Sequence, residues 1–298
     1  MSSTSAASNS CQMKNEILVT GASGFLGRHL MAALTAQGIA ARGLSSADGD
    51  ISHCALPMDG VSHIFHLAGK SFVPDSWQNP QAFYQTNVMG TVNVLEHCRQ
   101  HQAAMVLISS YVYGQPQRLP ISEDHPIAAA NPYAHTKILA EQTAQFYEQR
   151  FAVPLIIVRP FNIYGPGQQP PFLIPSIVQQ VLDPAVEAVR LMDLRPKRDY
   201  LYVDDAVAFL LALLQPGVHG VFNLGSGHSS GVAEVAQLIK DAAGIQKPVL
   251  SAEQQRPGEV MDVYADTARA SAELGWRPRT SLADGIAAVV AAERARRG

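Results

Sequence analysis

The chain has 298 residues, of which 47% are hydrophobic, with a formal net charge of −3 and a pI near 6.4. This length and composition can fill one large hydrophobic core or two packed ones. The net charge provides no broad positive surface that would bind the phosphate backbone of a nucleic acid. Apolar stretches such as residues 206–214 fall short of the ~20 residues that span a bilayer, so neither nucleic acid nor a membrane is an expected partner.

Residues 1–14 are small and polar and contain no apolar segment. They predict a disordered tail and not a signal peptide, and therefore a cytoplasmic protein. Cys11, Cys54 and Cys98 show no CxxC spacing, which favours reduced thiols. The ten histidines form no HExxH or similar ligand pair, so no metal site is predicted.

From Glu16 onward, short runs rich in Val, Ile and Leu alternate with longer amphipathic segments. The apolar runs are EILVT (16–20), GIAARGL (38–44), HIFHLAG (63–69), MVLISS (105–110) and LIIVRP (155–160), and the predicted helices between them are 27–37, 80–101 and 133–151. Continuous apolar strands that alternate with helices are typical of a sheet buried on both faces. The pattern therefore predicts an α/β fold with a Rossmann-like, doubly wound parallel sheet.

The composition of the sequence changes after about residue 160, where the segment RPFNIYGPGQQPPFLIP is rich in proline and glycine. We expect a first, nucleotide-binding domain over residues 15–164 and a smaller α/β substrate-binding lobe over residues 165–298. Some segments around 186–227, including the strand-like GVFNLGSG, are expected to return to the first domain. Ligands of such folds bind outside the carboxyl ends of the strands.

The segment TGASGFLG (20–27) follows the first strand and opens the first helix. Its glycines allow a tight turn, close approach of a pyrophosphate to the backbone, and close packing of helix on strand, while the helix N-terminus supplies free N–H donors. This context predicts a dinucleotide site rather than a plain glycine turn. The predicted cofactor contacts here are Gly21, Ser23, Gly24, Phe25, Leu26 and Gly27.

The second strand carries the signal for the type of cofactor. An acid about 20 residues beyond the glycine loop accepts hydrogen bonds from the adenosine ribose of NAD, but in this sequence Gly43 takes that position. Gly43 leaves room for a 2′-phosphate, and Arg42 and Ser45 can donate to it, which favours NADP(H) over NAD(H). In the alternative, Arg42 points to solvent, and Asp48 or Asp50 accepts the hydrogen bonds from the adenosine ribose. Asp50 is also a candidate partner for the adenine amino group.

The segment NPYAHTKILAEQ places Tyr133 and Lys137 one turn apart at the start of a helix. A nearby ammonium together with an oxidised nicotinamide favours the phenolate of a tyrosine that otherwise titrates near ~10. Tyr133 is therefore a candidate proton carrier. An isolated YxxxK pair is more often a surface pair, so the assignment depends on the motifs around it.

Those motifs occur in one order: TGASGFLG, HLAG, TNVMGT, SSYVYG and YxxxK, followed by RPFNIYGPGQ, RDYLYVDDA, FNLGSG and RPGEV. Together they resemble the extended short-chain dehydrogenase/reductases, the nucleotide-sugar epimerases, dehydratases and ketoreductases. The resemblance covers about residues 15–292. It implies a nucleotide-sugar substrate, a nicotinamide cofactor, and a homodimer formed through the helices predicted at 80–101 and 133–151.

The resemblance also assigns roles at the cofactor and the reacting oxygen. It makes Ser109, three residues before the valine of VYG, the catalytic hydroxyl beside Tyr133. Lys137 would hold the nicotinamide ribose, and Asn87 of TNVMGT would stabilise its helix on the cofactor side. The remaining cofactor contacts that it implies are Leu67, Ala68 and Pro160.

On the substrate side, the resemblance implies that Lys70 and Ser71 face the sugar. Asn162, Arg198 and Arg256 resemble the residues that clamp the nucleotide diphosphate, and guanidinium groups suit phosphate geometry.

Three reactions fit a hydride carrier paired with a proton carrier. Dehydratases of this type carry acids directly after the catalytic hydroxyl, where this chain has Ser110 and Tyr111, so dehydration is disfavoured. NADPH-dependent reduction of an NDP-4-keto-6-deoxyhexose is favoured, because HLAGKSFVPDSW resembles the matching segment of GDP-4-keto-6-deoxy-mannose reductases. An NAD-dependent 4-epimerase is the alternative, because SSYVYG is closer to the epimerase form. A catalytically silent NAD(P)-binding regulator is disfavoured, because Ser109, Tyr133 and Lys137 are all present.

Overall fold

The computed structural model describes residues 16–254 and 259–297. The predicted tail and Arg256 lie outside these ranges. The strands are β1 (Glu16–Thr20), β2 (Ala41–Leu44), β3 (Val61–His66), β4 (Ala104–Ile108), β5 (Leu155–Pro160), β6 (Asn162–Tyr164), β7 (Val189–Leu191), β8 (Lys197–Arg198), β9 (Tyr200–Tyr202), β10 (Gly220–Leu224), β11 (Ser230–Gly231), β12 (Val249–Ser251) and β13 (Asp262–Val263). The helices are α1 (Phe25–Ala36), α2 (Val73–Gln78), α3 (Pro80–Phe83), α4 (Gly90–His101), α5 (Pro132–Phe151), α6 (Leu173–Leu182), α7 (Val203–Ala212), α8 (Val232–Ala243), α9 (Ala268–Leu274) and α10 (Leu282–Arg297).

The largest sheet in the described ranges has six strands in the order β10-β5-β4-β3-β1-β2, and every neighbouring pair is parallel. Successive side chains of a strand point to opposite faces. Val19 accordingly packs in a core with α1, α7 and α9, whereas Leu18 packs in a second core with α4 and α5. Both faces of the sheet are covered, which confirms the predicted α/β fold.

The first lobe receives elements from the second half of the chain. β10 pairs with β5 from Gly220 beside Ile156 to Leu224 beside Pro160, and α7 buries Ala206 against the same core that contains Leu30 of α1. The part of this segment that contains β7 stays in the second lobe, because β7 pairs with β12 there. Within residues 186–227, α7 and β10 therefore pack with the first lobe, together with Leu201 of β9.

The second lobe has its own apolar core between α6, α8 and α10, centred on residues such as Ile177, Ile239 and Ile286. The β6–β9 pair connects this core to the end of β5, because Asn162 lies only two residues beyond Pro160. In the part of the chain that the structure describes, no helix is both long and apolar enough to cross a membrane.

The helix predicted over residues 80–101 is interrupted. After the short α3, the backbone over Tyr84–Met89 adopts π-helical hydrogen bonding before α4 begins at Gly90. Such π segments are rare and frequently occur at functional sites, and this one contains Asn87. The predicted helix over residues 133–151 forms as α5, which Asn131 caps by accepting a hydrogen bond from the Ala134 N–H (2.8 Å) and which Pro132 opens.

Candidate active site

The glycine loop between β1 and α1 is closed against the end of β3. Gly21 has φ = +71°, and a Cβ there would lie 2.7 Å from the backbone nitrogen of Ala68. A Cβ on Gly27 would overlap the carbonyl oxygen of Gly21. The loop turns back on itself through a hydrogen bond from Gly24 N–H to Gly21 O (2.9 Å). Only glycine fits this cradle, and the free N–H groups at the start of α1 suit a pyrophosphate.

Thr20 ties the ends of β1 and β3 together. Its hydroxyl accepts a hydrogen bond from the Ala68 N–H (3.2 Å) and shares a second hydrogen bond with Nδ1 of the buried His66 (2.8 Å). The Leu67 N–H donates to the carbonyl oxygen of Thr20 (3.2 Å). Leu67 and Ala68 are thereby held beside the glycine loop, as their predicted role requires.

His66 makes the stability of the protein sensitive to acid. Burial, with a contribution from the nearby Lys137 ammonium, lowers the pKa of His66 from 6.5 to about 3. Between these two values the unfolded chain binds a proton that the native state does not, so the stability contributed by neutral His66 is fully present above pH 6.5 and is lost as the pH falls towards 3.

We therefore expect the free energy of unfolding to fall by about 1.4 kcal/mol per pH unit from this group alone over that window. His66→Gln should show a shallower decline in urea titrations carried out at successive pH values. An identical pH dependence in the two proteins would contradict this account.

Asn87 joins the loop after β3 to α5. Its side-chain oxygen accepts a hydrogen bond from the Lys70 N–H (2.8 Å), and its amide nitrogen donates to the Lys70 carbonyl (3.0 Å) and to the Thr136 hydroxyl (3.0 Å). Thr136 lies directly before Lys137 on α5. Asn87 therefore fixes the distance between the cofactor side of the cleft and the proposed catalytic residues.

The three predicted catalytic residues converge at the carboxyl end of β4. The Lys137 ammonium donates to the carbonyl oxygen of Ile108 (2.7 Å), the residue directly before Ser109. Ser109 is only 3% exposed, and no described residue is a hydrogen-bond partner of its buried hydroxyl. A buried hydroxyl without a partner is costly unless a ligand completes it.

The phenol of Tyr133 is held in its protonated form. Burial raises the pKa of Tyr133 to about 12, although a hydrogen bond with the side chain of Ser110 acts in the opposite direction. Burial also lowers the pKa of Lys137 to about 8. The protonated phenol of Tyr133 therefore contacts Ser110, the residue next to Ser109, and this contact was not anticipated from the sequence.

Tyr111 adds a second aromatic hydroxyl to the site. Its ring stacks on Phe161 with centroids 5.0 Å apart and an interplanar angle of 16°. It is an electrostatic neighbour of both Tyr133 and Tyr200. The residue that follows Ser110 thus places a phenol near both Tyr133 and Tyr200.

The predicted diphosphate contacts Asn162 and Arg198 lie on elements of the second lobe. Both side chains already have hydrogen-bond or ion-pair partners within the protein. Asn162 donates to the carbonyl oxygen of Asp199 (3.0 Å) across the β6–β9 pair. Arg198 donates to the Val260 carbonyl (2.7 Å) and forms an ion pair with Glu259. A ligand phosphate must compete with Glu259 for Arg198. Arg256 lies outside the described residues.

Tyr200 was missed by the sequence reasoning. Its hydroxyl is buried with no hydrogen-bond partner among the described residues, and the charge of Arg198 and the phenol of Tyr111 both act on it. In the sequence it stood only within the segment RDYLYVDDA, with no role assigned to it. Its closeness to Arg198 became visible only in the fold, and it is a further candidate for contact with the substrate.

Lys70 and Ser71 are exposed at the rim of the cleft, after the loop that Asn87 anchors. The next residue, Phe72, meets Phe172 at the start of α6 edge to face, with ring centroids 6.1 Å apart. One apolar wall of the cleft therefore comes from both lobes. Pro160 lies at the carboxyl end of β5, opposite Leu224 of β10.

The structure corrects the argument for a 2′-phosphate site. Arg42 donates to Glu16 (2.7 Å) and to the Pro57 carbonyl (3.5 Å), so its guanidinium is turned away from the carboxyl end of β2. A Cβ on Gly43 would lie 2.7 Å from the Cβ of Ala22, so packing of the glycine loop explains this glycine. Ser45 binds the carboxylate of Asp48 through its N–H (2.8 Å) and its hydroxyl (2.9 Å).

Asp50 caps its own turn by accepting hydrogen bonds from the N–H and the hydroxyl of Ser52 (both 2.9 Å). Its carboxylate is exposed. The predicted contact with an adenine amino group stays a prediction.

The chain matches a known family model and known proteins along most of its length. The model of the NAD dependent epimerase/dehydratase family matches residues 17–225. The chain is 31% identical to the GDP-6-deoxy-D-mannose reductase of Pseudomonas aeruginosa, and the match covers 93% of this chain and 97% of the reductase.

Solved structures agree on the fold and differ in cofactor. The UDP-glucose 4-epimerase of Thermus thermophilus in complex with NAD superposes with a TM-score of 0.84 at 27% identity, covering 94% of this chain and 99% of the epimerase. RMD from Pseudomonas aeruginosa complexed with NADPH gives a TM-score of 0.85 at 28% identity, covering 95% of this chain and 99% of RMD. These neighbours support a nicotinamide cofactor. They do not decide between NAD(H) and NADP(H).

Proposed function

The chain belongs to the NAD dependent epimerase/dehydratase family, and from that membership we propose that it reduces an NDP-4-keto-6-deoxyhexose at C4. Family membership makes it an enzyme that uses a nicotinamide cofactor, with relatives that act on nucleotide sugars. The observation that carries the proposed reaction is that a protonated Tyr133 contacts Ser110, the neighbour of Ser109, whose buried hydroxyl has no hydrogen-bond partner among the described residues.

In this reaction a bound reduced nicotinamide supplies the hydride. The Ser109 hydroxyl donates a hydrogen bond to the C4 carbonyl oxygen and continues to stabilise it as negative charge develops. Tyr133 then gives its proton to that oxygen, and Ser110 stabilises the phenolate that results. Lys137, held by the Ile108 carbonyl, keeps a cation near this phenolate.

The pKa of Tyr133 suits a proton donor. Burial raises this pKa to about 12, so the phenol begins a reduction as an acid. The positive charge of an oxidised nicotinamide would favour the phenolate that an epimerase needs before hydride transfer, so this pKa does not separate the two reactions.

Two observations support a 6-deoxy sugar. The segment containing Lys70 and Ser71 resembles that of 4-keto-6-deoxy-mannose reductases, and the aligned relative is a GDP-6-deoxy-D-mannose reductase. The Phe72–Phe172 pair also offers an apolar wall, which suits a C6 methyl better than a C6 hydroxymethyl group. The nucleotide diphosphate would bind towards Arg198 and Asn162.

A 4-epimerase is the second candidate. The similarity to the UDP-glucose 4-epimerase of Thermus thermophilus favours it, and it uses the same Ser109, Tyr133 and Lys137. Neither Ser110 nor Tyr111 carries the carboxyl group that would serve a dehydratase. The reductase and the 4-epimerase therefore both act by hydride transfer at C4 of the sugar.

The deciding experiment supplies purified protein with an NDP-4-keto-6-deoxyhexose and either NADH or NADPH, and follows oxidation of the cofactor. Stoichiometric oxidation with formation of an NDP-6-deoxyhexose is expected. UDP-glucose serves as the comparison substrate, analysed for UDP-galactose. Conversion of UDP-glucose without net change in cofactor, together with no reduction of the keto sugar, would replace the reductase proposal with the epimerase.

A further inference from the structure

The glycine-rich segment over residues 225–227, directly after β10, is folded around a carboxylate of the protein itself. The N–H groups of Ser226 (2.6 Å) and Gly227 (3.1 Å) donate to the side chain of Asp199, and the Ser226 hydroxyl donates to it as well (2.7 Å). A Cβ on Gly225 would overlap the same carboxylate. Successive backbone N–H groups of this kind form an anion-binding nest. In this fold the nest holds Asp199, so it is not a site for a ligand phosphate.

The carboxylate of Asp199 joins three strands of the second lobe. Asp199 follows β8 directly and is fully buried. Ser226 and Gly227 precede β11, and the N–H group of Ala265, just beyond β13, also donates to the carboxylate (3.0 Å). Because β8 lies between β11 and β13 in their sheet, this side chain fastens the middle strand to the chain on both sides of it.

The main chain of Asp199 holds a further segment. Its carbonyl oxygen accepts hydrogen bonds from the backbone N–H of Asn162 (3.1 Å) and from the side-chain amide of Asn162 (3.0 Å). Asn162 follows β5, and the nest follows β10, the strand next to β5 in the main sheet. Asp199 therefore connects the small sheet of the second lobe to the carboxyl edge of the main sheet.

The residue directly before Asp199 is Arg198, the last residue of β8. The guanidinium of Arg198 donates to the Val260 carbonyl (2.7 Å) and pairs with Glu259. Without the Asp199 carboxylate, buried N–H groups on both sides of β8 would lose their acceptor, which is costly. The end of β8 would then shift, and the guanidinium would move with the backbone that carries it.

From these contacts we propose that Asp199 is a positioning residue for the nucleotide diphosphate of the substrate. Its carboxylate fills the nest and thereby sets Arg198 and Asn162 in the places from which they bind the phosphates. The proposal rests on the nucleotide-sugar site of the proposed function and adds to it the residue that arranges the phosphate contacts. Because Asp199 is fully buried, it acts through its neighbours and not by contact with the substrate.

The test is a comparison of KM with kcat in Asp199→Asn, which keeps the size of the side chain and replaces one acceptor oxygen by a donor. We expect KM for the NDP-4-keto-6-deoxyhexose to rise at least about tenfold, as the loss of a charge-assisted phosphate contact does. The values of kcat and of the dissociation constant for the reduced cofactor should be nearly unchanged, because Ser109, Tyr133 and Lys137 lie at the end of β4 and on α5. The dissociation constant for UDP or GDP, measured by calorimetry, should rise together with KM.

Asp205→Asn is the matched control. Asp205 is also a buried carboxylate that accepts hydrogen bonds from backbone N–H groups, those of Arg279 (3.1 Å) and Thr280 (2.9 Å), but it holds none of the predicted substrate contacts. It should lower the free energy of unfolding in urea, as Asp199→Asn does, and leave KM unchanged. Ser226→Ala is a milder variant that keeps the N–H donors of the nest. It should fold even if Asp199→Asn does not, and it should raise KM by about two- to fivefold.

A double variant shows whether Asp199 acts through Arg198. Adding Asp199→Asn to Arg198→Met should raise KM by a smaller factor than Asp199→Asn does in wild type. An equal rise in KM in Asp205→Asn and Asp199→Asn, or a loss of kcat at unchanged KM, would overturn the proposal. A wild type that reduces no keto sugar, yet binds UDP or GDP more tightly than Asp199→Asn, would overturn the proposed function and support the role of Asp199. Failure of wild type to bind either nucleotide would overturn both.

Discussion

Replacing Tyr133 with Phe is expected to lower the rate of the chemical step by about 10²- to 10⁴-fold, the range that a positioned general acid contributes. The ring, its edge-to-face contact with Phe83 (6.4 Å between centroids) and the rest of the cleft are retained, so cofactor affinity should be nearly unchanged. Single-turnover oxidation of the reduced cofactor measures the first quantity and calorimetry the second. Turnover at the wild-type rate would remove Tyr133 as the proton donor.

The two neighbouring serines provide a matched pair for the same assay. Ser109→Ala removes the partnerless hydroxyl and is expected to cost about 10²- to 10³-fold, as removal of an oxyanion donor does. Ser110→Ala removes a hydrogen bond to Tyr133 that becomes charge-assisted in the phenolate, worth about 1.5–3 kcal/mol, and so should cost about 10- to 150-fold. A larger loss in Ser110→Ala than in Ser109→Ala would transfer the role of substrate donor to Ser110.

Replacing Arg159 with Met is expected to destabilise the protein by about 3–5 kcal/mol, because it leaves a buried carboxylate without its partner. Arg159 is 3% exposed and Glu141 2%, and their closest atoms are 2.7 Å apart. The guanidinium also donates to the Tyr113 hydroxyl (3.1 Å) and to the Glu123 carbonyl (3.2 Å). Urea unfolding monitored by circular dichroism measures the loss.

Two further variants separate this effect from simple loss of a charge. Arg159→Met combined with Glu141→Leu removes both buried charges and should recover much of the stability. Arg118→Met breaks an exposed pair with Asp124 and should cost no more than about 1 kcal/mol. An equal loss in Arg118→Met and Arg159→Met would contradict the importance of burial.

The Glu141–Arg159 pair also connects stability to the site. Glu141 lies one turn beyond Lys137 on α5, and Arg159 lies on β5, the strand next to β4 in the sheet. The pair therefore fastens the helix that carries Tyr133 and Lys137 onto the sheet whose edge carries Ser109. Partial activity loss in Arg159→Met should accompany its loss of stability.

The sequence by itself determined the features that depend on local pattern. Continuous apolar runs predicted the parallel sheet, because strands buried on both faces tolerate few polar residues. The glycines at 21, 24 and 27 predicted the dinucleotide loop, and in the fold a Cβ on Gly21 or Gly27 would overlap backbone atoms. The spacing of Tyr133 and Lys137 predicted their common face, because one helical turn brings them together.

Only the tertiary structure decided which distant groups meet. Arg42 was available to a phosphate until the fold paired it with Glu16, 26 residues away, and Asn87 acquired its bonds to Lys70 and Thr136 only when a π-helical turn broke the helix predicted around it. The buried hydroxyl of Tyr200 near Arg198 likewise has no local signature. Hydrogen bonds and ion pairs between separate elements depend on distances that residue patterns do not contain, and these distances decide which charge faces the cofactor.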